Sequence, residues 1–372
     1  MDNTELLARY ILSRVLWWKH DLEGLEKEAI AELVKQINIA SLDIGQRIDD
    51  EIGAMTDVSE WNYGQLMAVN AWADDVLAGS KDTLADTILL VSVGIGVASI
   101  AAANRMLTFD GEAKAVRPLE LPRETVTGWF ENTELGAGGV RSMVNTAFDD
   151  GVKLSVIRAL QESEAGTSSD ALRDKLHAAL DDGVATTRRE LETVFETCAQ
   201  TGEATAYNSL YDQNKQIIQG YRRVEVLDSR TCILCALYDG EYFDVNERLP
   251  FYSMPHPRCR GSWVPVLKGW DALGFDSESA YQKKAREWAL RDPDPLGANG
   301  AKLNNFGTTT ENYGGWWASL TPEQKALTSI GKVRTKLLEE GKIQWHDMLD
   351  RRLGRVKTLQ EMGFDKNAKP LR

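Results

Sequence analysis

Apolar residues in the first part of the chain recur at three- and four-residue steps, which is the period of an amphipathic helix. Two stripes follow one another, first Leu22, Leu25, Ala29, Leu33 and Ile37, and then Ile44, Ile48 and Ile52. This pattern therefore predicts an N-terminal helical region at residues 1–110. We expect its tryptophans in the hydrophobic core: Trp17, Trp18, Trp61 and Trp72.

The most apolar run, ILLVSVGIGVASIAAA, occupies residues 88–103 and carries no charge. It has 16 residues, whereas a helix that spans a bilayer needs about 20. We therefore expect a buried helix. The alternative is a segment that meets a membrane only after a conformational change.

Pro118 and Pro122 interrupt the helical pattern and mark a first boundary. Helical periodicity returns in residues 171–182 and 187–214, and Gly183 between them is suited to a C-terminal helix cap. The many charged residues of these two stretches are expected on solvated faces.

Strand patterning starts at Tyr221, where YRRVEVLD alternates and is rich in Val. Asp239 and Gly240 follow between two aromatic-flanked runs, and Asp-Gly is the strongest short signal for a β-hairpin. We therefore expect this part of the chain on a small β element and not on a helix.

Residues 291–315 are rich in Gly, Asn, Thr and Pro, which predicts a linker or an exposed loop. A single helix should follow, with Thr321 as N-cap, Pro322 at its first position, Gln324 in a capping box and Gly341 after its last turn. Its predicted buried stripe consists of Leu327, Ile330, Val333 and Leu337.

Composition and charge narrow the class of protein. With 372 residues, 43% hydrophobic and 27% charged, the chain resembles a soluble globular protein. Its formal charge of -13 argues against a broad nucleic-acid-binding face, because nonspecific DNA affinity comes mainly from Lys and Arg on phosphates. The first residues lack a secretory signal pattern, so we expect a reducing compartment in which structural disulfides are rare.

Three of the four cysteines and one of the four histidines fall within residues 232–259. Cys232 and Cys235 have the spacing of a zinc knuckle, and His256 and Cys259 repeat it. Together they would form a closed Cys3His site for zinc. Since four protein ligands leave no position for water, the ion would hold the fold rather than catalyse a reaction. The expected fold class is α+β, predominantly α-helical, with a small β-hairpin zinc-knuckle element.

Three other interpretations of this cluster stay open. The cysteines could pack without a metal as small hydrophobic residues. A redox Cys-x-x-Cys of the thioredoxin type belongs at a helix start near a βαβ unit, whereas this motif is expected beside a hairpin. A zinc-stabilised ββα nuclease could use Asp228, His256 and Arg258, but it needs a second His or Asn after the cluster, and RGSWVPVLKGW has neither.

The remaining candidates for chemistry are isolated in the sequence. Cys198 lies in a helical stretch, and we expect a buried structural thiol. His20, His177 and His346 lie on helix-like segments without a nearby nucleophile or acidic pair. The sequence contains no phosphate loop of the Walker type. We therefore expect that the protein is not an enzyme.

The stretches VLDSRTCILCALYDGEYF and PHPRCRGSWVPV hold a distinctive order of residues: Asp228, Cys232, Cys235, Asp239, Gly240, Phe243, His256, Pro257, Cys259, Arg260 and Pro265. This order resembles the motif of the Mu F-like phage head morphogenesis proteins, also called minor head or minor capsid proteins. The C-terminal part is similar to the same family at Trp316, Gln324, Gly331, Arg334, Gly341 and Leu359. Gly261 and Ser262 depart from it, where relatives often carry a further Cys or a compact turn.

The resemblance implies a noncatalytic virion protein, present in few copies inside the head of a bacteriophage, near the portal vertex. It would be made in the host cytoplasm and would act in procapsid assembly, head morphogenesis or DNA ejection. Its partners would be the phage portal protein and other head proteins, with packaged DNA as a further contact. An ejected membrane-active protein that aids DNA delivery is the alternative.

The sequence accordingly divides into four consecutive sections. An N-terminal helical region occupies residues 1–110, and a head-morphogenesis domain with the Cys/His knuckle occupies residues 118–270. A loop-rich linker at residues 271–315 leads to a C-terminal helical tail at residues 316–372.

Overall fold

The computed structural model describes residues 3–54, 63–109, 111–131, 139–163, 167–247, 249, 256, 259–280, 282–283, 302–303 and 312–371. Trp61, the side chains of Trp17, Ile52 and Trp72, and most of the predicted linker lie outside the described residues. The predictions made for them stay predictions.

The chain is predominantly helical, as its periodicity predicts. The helices before the first strand are α1 (Asn3–Ala54), α2 (Tyr63–Leu107), α3 (Arg123–Glu131), α4 (Val140–Phe148), α5 (Leu154–Gln161) and α6 (Ser169–Gln213). A π-helical turn, Asp149–Lys153, joins α4 to α5. The break predicted at Pro118 and Pro122 lies in the non-helical connection between α2 and α3.

The apolar stripes predicted for α1 are buried at most positions that the structure describes. Residues with at most 3% exposure are Leu22, Leu33, Ile37, Ile44 and Ile48. Trp18 is also buried, whereas Leu25 is 40% exposed and does not belong to the buried face.

The apolar run at residues 88–103 is part of a longer apolar stretch of α2. Lys81–Leu107 has 27 residues and is long and apolar enough to cross a membrane by length and composition, and half of its most apolar window is buried. The buried side chains include Ile88, Val93, Ile95 and Ile100, and the exposed ones Leu90 at 61% and Val97 at 45%. Burial is thus confirmed for one face of the helix, and the argument from insufficient length is wrong.

Gly183 lies inside α6, so the prediction of two helices separated by a glycine cap is wrong. A Cβ atom at Gly183 would lie 2.8 Å from the Cα of Val152 and 3.0 Å from the carbonyl oxygen of Gly151. The absence of a side chain at Gly183 therefore allows α6 to pack closely against the π-helical turn. The prediction of a C-terminal cap did not take this role of glycine into account.

The part of the chain that contains Cys232, Cys235 and Cys259 includes a three-stranded antiparallel sheet. The described strands in this region are β1 (Ile218–Val224), β2 (Val226–Leu227), β3 (Tyr242–Asp244), β4 (Ser262–Leu267) and β5 (Lys302–Leu303). The order in the sheet is β3-β1-β4, and β2 pairs with β5. Tyr221 of β1 pairs with Phe243 on one side and with Pro265 on the other, so the strand predicted at Tyr221 is confirmed.

Asp239 and Gly240 do not form the predicted hairpin. They follow a helix, α7 (Ile233–Tyr238), and turn the chain from that helix into β3. Asp239 has φ -61° and ψ 122°, and Gly240 has φ 84°, which is the backbone of a type II turn. The predicted turn is confirmed, but the hairpin is wrong because Asp-Gly suits any turn whose second central residue is left-handed.

The C-terminal part begins with α8 (Tyr313–Ala318), which is followed by α9 (Pro322–Ala326) and α10 (Lys332–Glu339). Thr321 and Gln324 form the predicted capping box at the start of α9, and Pro322 occupies its first position as predicted. After α10 the chain forms turns and two short paired strands, β6 (Leu349–Asp350) and β7 (Arg355–Val356).

The single helix predicted from Thr321 to Gly341 is therefore wrong. Gly331, with φ 82°, separates α9 from α10, because few other residues adopt this left-handed conformation readily. Two members of the predicted stripe, Ile330 and Leu337, are fully buried, whereas Leu327 is 74% exposed.

The chain forms two compact units, each assembled from separated stretches. One contains Met1–Glu23, Gly96–Glu120 and Glu203–Arg372, and the other contains Gly24–Ile95 and Leu121–Gly202. The cysteine cluster and the C-terminal part belong to the same unit. The four consecutive sections inferred from the sequence follow motifs and composition, and they stay a prediction.

Candidate metal centre

Cys232 and Cys235 lie at the start of α7, which places the first pair of predicted ligands on a helix and not on the expected β element. Cys232 is the N-cap residue, and its Sγ accepts the backbone N–H of Cys235 at 3.3 Å. This contact satisfies one of the amides that a helix start leaves unpaired. The position at a helix start fits a redox Cys-x-x-Cys, but the described strands around it pair antiparallel, whereas a βαβ unit has parallel strands.

A third cysteine joins this pair. Cys259 lies three residues before the start of β4, and its Sγ is 3.4 Å from the Sγ of Cys235. The Sγ atoms of Cys232, Cys235 and Cys259 all lie within 4.8 Å of one another. Two thiolates on one tetrahedral zinc ion are about 3.8 Å apart, given bonds of about 2.3 Å. The three thiols are thus close enough to hold a metal ion.

His256, the fourth predicted ligand, lies beside one of these thiols. Its side chain is exposed, and its Nδ1 and Nε2 lie 3.5 and 3.4 Å from the Sγ of Cys259. Its ring atoms do not belong to the group of mutually close ligand atoms, which contains the three cysteines. The structure therefore brings three of the four predicted ligands together and places the fourth next to Cys259.

The three thiols share one hydrogen-bonded network that shifts their pKa values in opposite directions. Hydrogen bonds with the side chains of Cys235 and Cys259 hold the pKa of Cys232 well below its ordinary value. The hydrogen bond with Cys232 raises the pKa of Cys235, with further contributions from Cys259 and from burial. The same partner is the main cause that raises the pKa of Cys259 to about 12. The three thiols thus titrate as one coupled group, and a cation that binds all three as thiolates has to displace their protons.

A buried ion pair lies behind the thiols. Arg223 and Glu225 are 0% and 1% exposed, and the Nε of Arg223 lies 2.5 Å from Oε1 of Glu225. The guanidinium carbon of Arg223 is 5.4 Å from the ring centroid of Trp263. Burial lowers the pKa of Arg223, but Glu225 and the thiols of Cys235 and Cys259 raise it above its ordinary value. Arg223 therefore places a fixed positive charge beside the thiols.

Gly261 gives the carboxylate of Glu225 the space it occupies. A Cβ atom at Gly261 would lie 2.2 Å from both carboxylate oxygens of Glu225. Arg223 and Glu225 were not predicted as part of the site. The available signal was two opposite charges two residues apart in a predicted strand, since such residues share one face of the strand.

Asp228 and Arg260 connect the two halves of the cluster. Asp228 precedes Cys232, and Arg260 follows Cys259 directly. Nη1 of Arg260 donates to Oδ2 of Asp228 at 2.8 Å, and Nη2 donates to Oδ1 at 2.6 Å. Oδ1 of Asp228 also accepts the backbone N–H of Thr231 at 3.1 Å. Partial burial raises the pKa of Asp228, but the hydrogen bonds and charge of Arg260 outweigh it and lower this pKa.

The remaining cysteine and the three other histidines do not join the thiol cluster in the part of the chain that the structure describes. Cys198 is fully buried in α6, and burial raises the pKa of its thiol to about 12, which agrees with the expected structural thiol. The Nε2 of His177 lies 2.9 Å from Oδ1 of Asp49, and His346 is exposed. Arg258, a candidate of the nuclease hypothesis, and the side chain of His20 lie outside the described residues.

No family model, no curated protein and no solved structure matches this chain.

Proposed function

We propose that the cluster is a structural zinc centre with Cys232, Cys235, His256 and Cys259 as ligands. The support is the mutual proximity of the three thiols and the position of His256. Its Nε2 lies 3.4 Å from the Sγ of Cys259, and a thiolate sulfur and an imidazole nitrogen on one zinc ion are about 3.6 Å apart. Thiolates and imidazole are the ligands that zinc prefers in structural sites.

A closed set of four protein ligands makes this centre a structural one. Without an open position, zinc has no place for the water that a hydrolytic site needs. The ion instead stabilises the junction of α7 and the loop before β4, two segments that hold the ligands at residues 232–235 and 256–259. Metal binding and folding are linked at such sites, so removal of the ion should destabilise this unit.

We further propose that the protein is a bacteriophage minor head protein. It is a noncatalytic virion component present in few copies near the portal vertex, and it acts in head morphogenesis or genome delivery. The observation that carries the proposal is the arrangement of the motif that resembles the Mu F-like family. Residues spread over the motif interact, with Asp228 paired to Arg260 and Cys235 next to Cys259. Its partners are the portal protein and other head proteins.

Quantitative mass spectrometry of purified phage particles tests this proposal. The chain should be found in particles at far fewer copies than the major capsid protein, and its amount should fall when Cys235 is replaced by Ser. Cys198→Ser serves as the matched control, because Cys198 is a buried cysteine outside the cluster. Absence of the chain from intact particles would contradict the proposed role.

A second function, membrane activity during DNA delivery, is favoured by one observation. Leu90 and Val97 are exposed on the 27-residue apolar stretch Lys81–Leu107. If this face meets a bilayer, Leu90→Asp should abolish leakage of phospholipid vesicles by the full chain. Leu327→Asp is the control, because Leu327 is also an exposed leucine. Equal leakage by both variants and the unchanged chain would exclude this helix face.

A further inference from the structure

Helix α7 meets the thiol cluster at its first turn and an apolar cluster at its C-terminal end. Cys232 and Cys235 point into the thiol cluster. Its remaining buried residues, Ala236, Leu237 and Tyr238, pack against residues 312–371, which we call the C-terminal segment. One short helix thus contacts both the predicted metal ligands and the last part of the chain.

The apolar contact consists of two clusters. In the first, Leu237 and Tyr238 pack with residues of the C-terminal segment, namely Leu337, Ile343, Met348, Leu349 and Ala368. In the second, Leu227 and Ala236 pack with Tyr313, Trp317 and Ile330. Ile233 of α7 contributes to both clusters. The first turn of α7, which carries the cysteines, is therefore continuous with the surface that holds the C-terminal segment.

Polar contacts converge at the same place. The carboxylate of Asp239 accepts the backbone N–H of Tyr313 at 2.7 Å through Oδ2 and that of Glu225 at 2.9 Å through Oδ1. Asp239 is 6% exposed, and charge-assisted hydrogen bonds of this kind are stronger than neutral ones. The hydroxyl of Tyr313 also donates to the carbonyl of Asp228 at 3.3 Å.

A third contact lies beside the first cysteine. The Oγ of Ser329 donates to the carbonyl oxygen of Thr231 at 2.6 Å. Thr231 directly precedes Cys232, so a change in the backbone at the first ligand displaces an acceptor of the C-terminal segment. Asp228, Thr231 and Asp239 thus provide three attachment points around the two cysteines of α7.

Neither partner in this contact is long enough to be stable alone. Helix α7 has 6 residues, and α10, the longest described helix of the C-terminal segment, has 8. Isolated helices shorter than about 12–15 residues are marginal in water. Both therefore depend on packing, and for α7 a metal ion bound by its first turn would provide the missing constraint.

We propose that metal binding at the cysteine cluster controls docking of the C-terminal segment. With the ion bound, α7 is fixed and the segment is docked. When the ion is lost, the first turn of α7 loosens, the acceptors at Thr231 and Asp239 move, and the segment separates from its apolar surface. This inference rests on the proposed zinc centre and adds a conformational consequence to it.

Hydrogen exchange of the full chain before and after zinc removal by a chelator tests the proposal. Amides of α10 should exchange at least about tenfold faster in the metal-free protein, because local opening exposes them. Amides of α4, which belongs to the other compact unit, should keep their exchange rates. Unchanged exchange in α10 after proven zinc loss would overturn the inference, and so would an equal increase in α4 and α10.

Asp239→Asn supplies a second measurement. The amide keeps the shape of the side chain but retains only one acceptor oxygen, so it can no longer accept both the N–H of Tyr313 and that of Glu225. Exchange in α10 should increase and, because coupling is reciprocal, zinc affinity should fall as well. Asp276→Asn is the control, since Asp276 is exposed and pairs with Lys114. Wild-type exchange and zinc affinity in Asp239→Asn would overturn the inference.

The failure of this inference differs from the failure of the zinc centre. A full chain that contains no metal contradicts the centre itself. A chain whose zinc can be removed without any change in α10 retains the centre and contradicts only the coupling.

Discussion

Arg260 forms two parallel hydrogen bonds to the carboxylate of Asp228, 2.8 and 2.6 Å long, across 32 residues of sequence. The two side chains are 19% and 18% exposed. Since the pair is largely shielded from water, solvent screens its electrostatic attraction less than that of a surface pair. It fixes the chain before Cys232 to the chain after Cys259, which are the two ends of the ligand set.

Arg260→Met should therefore weaken both folding and metal binding. The substitution leaves the carboxylate of Asp228 without its main partner, and we expect a loss of about 1–3 kcal/mol in the free energy of unfolding. Zinc affinity should fall with it. Arg352→Met is the matched control, because Arg352 is exposed. Equal denaturation midpoints for the two variants would contradict the role given to Arg260.

The titration of Asp228 gives an independent test of the same pair. Its pKa lies below the ordinary aspartate value of about 3.9. Because the pKa is lowered in the folded state, the pair stabilises the protein at pH values above the ordinary aspartate pKa. This stabilisation is lost as the pH falls from the ordinary pKa through the lowered one. The carboxyl carbon of Asp228, followed by NMR, should titrate below the ordinary range, and Arg260→Met should move the midpoint upward. An ordinary midpoint in the unchanged chain would contradict the pairing.

Gly261→Ala should disturb the buried charges behind the thiols. The new Cβ atom would meet the carboxylate of Glu225 at 2.2 Å, so either the strand or the ion pair with Arg223 has to shift. We expect a loss of about 1–3 kcal/mol, the usual range for overpacking. Thermal denaturation measures it, and a variant as stable as the unchanged chain would show that the loop accommodates the methyl group.

The two glycines inside long helices should respond in opposite directions to the same change. Gly183→Ala should destabilise by about 1–3 kcal/mol because its Cβ would lie 2.8 Å from the Cα of Val152. Gly94→Ala should stabilise by about 0.5–1 kcal/mol, since its Cβ would meet nothing within 4 Å and alanine favours helix. Chemical denaturation of both variants provides the comparison. A neutral or stabilising effect at Gly183 would remove the packing explanation.

Local sequence signals predicted much of the fold because they act over a few residues. The apolar period of α1, the capping box at Thr321 and the strand at Tyr221 were all predictable in this way. Signals with more than one structural meaning led to errors. Glycine is common at helix C-caps, but Gly183 lies inside α6 and allows close packing. Asp239-Gly240 fits a type II turn as well as a hairpin.

The proximity of the three cysteines was predictable from the sequence, whereas their surroundings were not. The spacing of the cysteines pointed to Cys232, Cys235 and Cys259, which do lie together. The burial of Arg223 and the bond from Tyr313 to Asp239 depend on contacts between distant parts of the chain, 74 residues apart in the second case. Periodicity and spacing carry no information about such contacts.

The metal content of the purified full chain tests the central claim most directly. Elemental analysis should find about one zinc ion per chain, as expected for a single closed site. Cys235→Ser should lose the ion and unfold at a lower temperature, whereas Cys198→Ser, with its cysteine outside the cluster, should retain the ion. A metal-free chain whose thermal stability is unchanged in Cys235→Ser would contradict the account.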